Sequence, residues 1–248
     1  MEDKIENIEN PDEMSLAGSV GGTIAKPIVS FMLPKGWNWL MNKIYGKKVL
    51  IVGPGRTGKT SFRNFLLNGV LLNEGQTPKT SNHSSKNGKI LKSKNGSFEI
   101  SLKTLTDSPG QIGPIIHARS ISDFKPHFLF VFLSCDRMDE CAIWFEDFCE
   151  NLYPVFRDDP YLAKNINSIF IILNKVDKVK GKTKAEIKKN LRTFMDKIKD
   201  IAIKELNHVY YKIGDQVKLP VVLPAMCVKN NEANGHLEEI INTMANNI

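Results

Sequence analysis

The sequence predicts an open α/β sheet with helices on both faces, and three observations predict it. Apolar segments of strand length alternate along the chain with segments whose apolar residues recur at helical spacing. Two of the strand-like runs, Phe128–Leu133 and Ile169–Leu173, are apolar without interruption, as expected of strands buried on both faces. A third, Val49-Leu50-Ile51-Val52, runs straight into Gly53-Pro54-Gly55-Arg56-Thr57-Gly58-Lys59-Thr60-Ser61 and then into a helical pattern. In open α/β sheets ligands sit outside the carboxyl ends of the strands, so the loops at those ends carry the functional reading.

Composition bounds that reading. The chain has 248 residues, 42% hydrophobic and 25% charged, which fits one globular domain with an appendage. Its net charge is +7 and its pI is near 9.1. Such a balance suits nucleic acid or anionic membrane, but a solvated surface around a phosphate-binding site is the favoured account. No RNA-binding or aromatic stacking motif accompanies the charge, so no specific nucleic-acid partner is expected. Cys135, Cys141, Cys149 and Cys227 form no C-x-x-C pair. Two of them sit on apolar strand or helix faces, where small buried thiols are common, and a reducing, cytoplasmic compartment is expected. No run reaches the ~18 apolar residues of a membrane span. The acidic start Met1-Glu2-Asp3 is unlike a secretory signal, and neither Glu2 nor Asn246-Asn247-Ile248 fits a lipidation motif.

Taken in order, residues 1–46 are expected to form an N-terminal arm and residues 47–248 the domain. Residues 1–13 are polar, acidic and without periodicity, the signature of disorder. Residues 14–46 combine dense apolar residues with Trp37, Trp39 and several lysines. That mixture suits an interfacial segment making peripheral membrane contact. It suits equally an arm packed on the domain or on a partner chain, and both readings stand. After the glycine loop, Phe62, Phe65, Leu66 and Val70 fall at helical spacing. A polar loop covers Asn73 to Asn87. A hairpin follows, with arms Gly88–Ser93 and Phe98–Thr106 around Asn95-Gly96, a favoured pair for a tight turn. A loop over 107–114 leads into a helix. Phe145, Phe148, Cys149, Leu152 and Phe156 then mark a core-facing helix over 139–157. Ile187, Leu191, Phe194, Met195 and Ile198 mark another over 183–206, whose opposite face is rich in lysine. Val221-Val222-Leu223 reads as a last short strand, and Leu237, Ile240, Ile241 and Met244 as a C-terminal helix.

Three loops carry chemistry. The first fits G-x-x-x-x-G-K-[ST] in its required strand–loop–helix setting. Gly53, Gly55 and Gly58 let backbone N–H groups converge on phosphate oxygens, with Arg56, Thr57 and Ser61 completing the loop around the ligand. The helix behind adds the positive end of its dipole. Lys59 reaches the outer phosphates, and the Thr60 hydroxyl is a ligand for Mg²⁺. The second loop is Asp107-Ser108-Pro109-Gly110-Gln111. Its Asp107 carboxylate serves Mg²⁺, Gly110 offers an N–H to a γ-phosphate, and Gln111 orients an attacking water. The third is Asn174-Lys175-Val176-Asp177. An ionised Asp177 accepts two parallel hydrogen bonds, which matches the adjacent N1–H and N2 amino donors of guanine and not adenine. Asn174 braces neighbouring loops, and the Lys175 stem covers the base plane.

In this order the three motifs resemble those of a small Ras-like P-loop GTPase, over about Lys47 to Ile248. The layout is similar to the Arf group and to the signal-recognition-particle-receptor beta subunit. The resemblance implies the P-loop NTPase fold, with a six-stranded, mostly parallel sheet. It also implies Mg²⁺-dependent binding of GTP and GDP, slow GTP hydrolysis, and a molecular switch read by a protein effector and a GTPase-activating partner. A switch threonine is implied in the loop after the first helix, closing on Mg²⁺ and γ-phosphate. Thr77 and Thr80 both qualify, and Thr80, nearer the hairpin, is preferred. A further guanine-contacting loop is implied at Pro224-Ala225-Met226-Cys227, where backbone N–H groups of Ala225 and Met226 meet the base although the usual serine and lysine are missing. Arg56 departs from the small residue usual in the phosphate loop and has no role of its own. The alternative to a hydrolase is a guanine-nucleotide-binding scaffold that cleaves little or no GTP.

Overall fold

A computed structural model describes residues 46–68, 83–85, 89–92, 99–213, 221–225 and 240. The chain divides into two units, Met1–Trp37 and Asn38–Ile248, and the described residues all belong to the second. The expected arm lies outside them apart from Gly46, as do Thr77, Thr80, the Asn95-Gly96 turn and Met226.

The elements alternate as expected. They run β1 (Lys47–Val52), α1 (Lys59–Asn68), β2 (His83–Ser85), β3 (Lys89–Lys92), β4 (Glu99–Asp107), α2 (Pro114–Phe124), β5 (Phe128–Ser134), α3 (Met138–Asp158), α4 (Pro160–Asn165), β6 (Ser168–Asn174), α5 (Lys184–Ile213) and β7 (Val221–Pro224). Across the sheet the order is β2-β4-β1-β5-β6-β7, with β3 also paired to β4. The pairings β1·β4, β1·β5, β5·β6 and β6·β7 are parallel.

The six-stranded expectation is corrected by the outer edge. β2 pairs antiparallel with Leu105–Asp107 and β3 with Glu99–Leu102, both on the side of β4 away from β1. Seven strands therefore fill six positions, because the edge is built from two short strands instead of one. The second arm of the expected hairpin and part of the first are present as β4 and β3, whereas β2 falls within the stretch read as a polar loop.

Period-two alternation splits the apolar runs into two chemically different faces. Leu129, Val131 and Leu133 of β5 join Leu50 and Val52 of β1 and Ile169, Ile171 and Leu173 of β6 in one aliphatic layer. α2, α3 and α5 cover it with Ala118, Ile121, Phe145, Phe148, Leu152, Phe156, Phe194 and Ile198. The opposite face carries the aromatic rings together with Val49, Ile51 and Ile172. Phe130 stacks on Phe170 at 4.7 Å between ring centroids, and Phe62 of α1 packs against Phe130 and Phe132 at 5.1 and 5.0 Å. The sheet thus carries helices on both faces. The five residues read as the core stripe of α3 are all buried.

Parallel pairing in register brings the carboxyl ends of the strands together. Ile51 pairs with Asp107, Ser134 with Asn174, and Leu173 with Pro224. The loops after β1, β4, β5, β6 and β7 therefore leave the same edge of the sheet.

Candidate functional site

The glycine loop Gly53–Gly58 turns the chain from β1 into α1 in a small space. Gly53 has φ 140°, and a Cβ there would collide with the Phe132 carbonyl oxygen. Gly58 has φ 95°. Both lie in a region that only glycine enters cheaply. Arg56 also has positive φ, 61°, and its side chain is exposed.

Lys59 folds back over the loop. Its Nζ, almost completely buried, donates to Gly53 O at 2.8 Å and to Pro54 O at 2.7 Å. Buried Thr57 donates through Oγ1 to Pro54 O at 3.0 Å. The loop is thus held in shape by its own side chains, with a cation at its centre and the start of α1 behind it.

The loop after β4 lies directly on this one. Ser108 N–H donates to Ile51 O at 3.1 Å, continuing the parallel pairing past Asp107. A Cβ on Gly110 would fall 2.5 Å from Gly55 Cα and 2.6 Å from Lys59 Nζ. Only glycine permits this approach of the two backbones. Gln111 follows with its side chain exposed. The Asp107 side chain lies outside the described residues, although its backbone place, opposite Ile51, is fixed.

The Asn174–Asp177 loop is tied to the glycine loop by one bond. Asn174, buried, donates through Nδ2 to Thr57 O at 2.8 Å across 117 positions of sequence. Asn174 O accepts from Cys135 N–H at 2.8 Å. Lys175 has φ 59° and donates from Nζ to Asp136 Oδ2 at 3.0 Å. Asp177 is exposed beside Lys178, 3.8 Å away, and borders a shallow groove with Lys180 and Asn190. Ala225 is buried, and its N–H donates to Leu173 O at 3.0 Å. That bond takes the Ala225 N–H away from the ligand role the resemblance implied for it.

No protein-family model matches the chain, and no curated protein matches it. The functional reading therefore rests on the loops themselves.

Three residues that the motifs did not flag, Ser134, Asp136 and Arg137, also enter this site. Ser134, at the end of β5, donates to Asp136 Oδ1 at 2.6 Å. Arg137 donates through Nη2 to Gly55 O and through Nη1 to Glu140 Oε1 at 2.8 Å. Hydrogen bonds from Ser134 and Lys175, with the charges of Lys175 and Arg137, outweigh partial burial and hold the Asp136 carboxyl below its ordinary range. The signal was available in the sequence: Asp136 and Arg137 follow a buried strand at its carboxyl end, as the three motifs do. Unlike them, they belong to no named spacing.

The arrangement suits an anion at the glycine loop and offers the Asp177 carboxylate as an acceptor at the edge of a shallow groove. Among the described residues no cluster of three His, Cys, Asp or Glu side chains is placed to hold a metal. Mg²⁺ needs no such cluster, since it keeps several waters and takes one or two protein oxygens with substrate phosphates.

Proposed function

We propose that the protein is a GTP-binding molecular switch with a P-loop NTPase fold and slow intrinsic GTP hydrolysis. The observation that carries this reading is the 2.8 Å bond from Asn174 Nδ2 to Thr57 O. It joins the loop with the chemistry to read guanine to the loop with the chemistry to hold phosphates, so one nucleotide can span both.

In this reading the backbone of Gly53–Thr60 cradles the phosphates and Lys59 neutralises their charge. Asp177 accepts from the base, and the Lys175 stem covers its plane. Gln111 orients the attacking water. Cleavage then depends on positioning and on fixed dipoles aimed at the charge that builds on the phosphate oxygens. The donor set at Thr60 and at the end of β4 consists of hard oxygens, which fits Mg²⁺, with Thr60, Asp107 and the switch threonine as its holders. When bound, Mg²⁺ would neutralise phosphate charge. Turnover on the order of 10⁻⁴ to 10⁻² s⁻¹ is expected without a partner arginine. Peripheral membrane contact through residues 14–46, a protein effector and a GTPase-activating partner belong to the same proposal. No helix among the described residues is long and apolar enough to cross a membrane.

Titration with fluorescent GDP and ADP analogues in Mg²⁺ tests the nucleotide. GDP is expected to bind far more tightly, and equal affinities would sink the guanine reading. Single-turnover cleavage of GTP by the wild type and by Gln111→Leu tests the chemistry. The variant is expected to lose at least about tenfold in rate, because leucine cannot hydrogen-bond the attacking water. Tight binding without turnover in the wild type would leave a nucleotide-binding scaffold.

A further inference from the structure

The loop after β5 lies between the two halves of the site. β5 pairs with β1 on one side and with β6 on the other, so its carboxyl end lies between the glycine loop and the Asn174 loop. Two adjacent residues of opposite charge each contact a different neighbouring loop. Asp136 accepts from Lys175 Nζ at 3.0 Å, and Arg137 donates to Gly55 O. Each is itself fixed. Ser134 Oγ holds the other oxygen of Asp136 at 2.6 Å, and Glu140 holds the other arm of Arg137 at 2.8 Å. A weaker contact, 3.8 Å from Arg137 Nε to Asp136 Oδ1, joins the two.

Both targets need holding. Lys175 stands at φ 59° and Arg56 at φ 61°, conformations that a non-glycine residue keeps only when its surroundings impose them. The Gly55 carbonyl belongs to the same planar peptide as the Arg56 N–H, and in a trans peptide the two point in opposite directions. A guanidinium on Gly55 O therefore directs the Arg56 N–H the other way and resists a flip of that peptide. Likewise, an acid on Lys175 Nζ lays the lysine stem along the loop surface and stops it from sweeping through solvent.

We infer that Asp136 and Arg137 are positioning residues of the nucleotide site: Arg137 sets the phosphate-loop peptide 55–56 and Asp136 sets the base-covering Lys175, from one rigid loop. This rests on the guanine-nucleotide reading. The two arms have different signatures. Arg137 acts on a peptide that faces phosphate, so its loss weakens ligands more as their phosphates increase. Asp136 acts through a side chain over the base, so its loss weakens GMP and GDP alike and has no further effect once Lys175 is gone.

The test is the affinity and release rate of N-methylanthraniloyl GMP, GDP and GTP, measured in Mg²⁺. The proteins are the wild type, Arg137→Met, Arg137→Lys, Asp136→Ala, Lys175→Ala and the Asp136→Ala/Lys175→Ala double variant. Arg137→Met is expected to speed GDP release roughly tenfold or more, the scale of one charge-assisted hydrogen bond. It is also expected to shrink the affinity ratio of GDP to GMP, and Arg137→Lys, which keeps one charged donor, to recover part of it. Asp136→Ala is expected to leave that ratio unchanged, and the double variant to match Lys175→Ala. Should Arg137→Met fail to fold, Arg137→Lys and Asp136→Ala carry the same comparison. Wild-type binding of GDP, with both arms silent or with both losing GMP and GDP by one common factor, would overturn the inference alone. A wild type that does not bind GDP would overturn the guanine reading together with it.

Discussion

His117 is fully buried in α2, its ring edge-on to Trp144 of α3 at 5.3 Å between centroids. Among the described residues neither ring nitrogen has a hydrogen-bond partner, and the same holds for Trp144 Nε1. Burial, aided by the charge of Lys59, lowers its pKa from 6.5 to about 4. His127 is lowered to about 4 as well, by burial and by Lys47 and Lys48, while its Nδ1 accepts from Lys48 N–H at 3.0 Å. Both rings are therefore neutral in the folded domain at pH values where the unfolded chain takes up protons. Between about pH 6.5 and pH 4 the unfolded state binds more protons, so stability rises with pH and falls on acidification. Melting temperatures measured from pH 7.5 to pH 4.5 are expected to hold steady above pH 6.5 and to drop below it. His117→Phe removes one of the two protonation sites and is expected to flatten the drop. A slope unchanged by His117→Phe would mean that His117 is protonated to the same extent in both states.

At the scale of elements, α1 buries Phe62 and Leu66 completely. Phe62 is fully buried and touches Phe130 and Phe132, while Gly58 O and Phe62 N–H make the 3.0 Å bond that starts the helix. Phe62→Ala is expected to cost about 3–5 kcal/mol in denaturant unfolding, because the cavity left against Phe130 and Phe132 closes poorly. A loss below about 1 kcal/mol would mean that the aromatic layer repacks. Elements with a strong period were legible. α3 shows its full stripe, and β5 and β6 are buried at every position. Elements too short to have a period were not. The polar triplet His83–Ser85 becomes β2 only because β4 offers it an edge, and the six residues of α4 span under two turns. α5 runs to Ile213, beyond the expected end at 206, and Ala202 and Leu206 join its expected stripe on the buried side.

For the whole molecule, the strand order does what no single motif does. It sets β5 between β1 and β6, so three loops meet at one end of the sheet. The candidate site was readable wherever a residue type is tied to a fixed spacing, as with Gly53, Gly58, Lys59, Asn174 and Asp177. It was unreadable where a contact is made only by folding. Arg137 on Gly55 O, and the Ala225 N–H turned to Leu173 O, follow from tertiary placement and leave no local pattern.

One consequence of the core concerns time. Cys135, Cys141 and Cys149 are free and buried, and burial raises all three thiols, Cys135 to about 12. A thiol reagent meets neither an accessible sulfur nor a thiolate until the domain opens. Cys135 reports from the joint of the site itself, since its N–H is bonded to Asn174 O. In a Cys227→Ser background the colour released from a disulfide reagent thus becomes a stopwatch for opening. Saturating GDP is expected to slow it in proportion to the stability that binding adds. A full burst of labelling within the mixing time would show that the three sulfurs are already within reach of solvent.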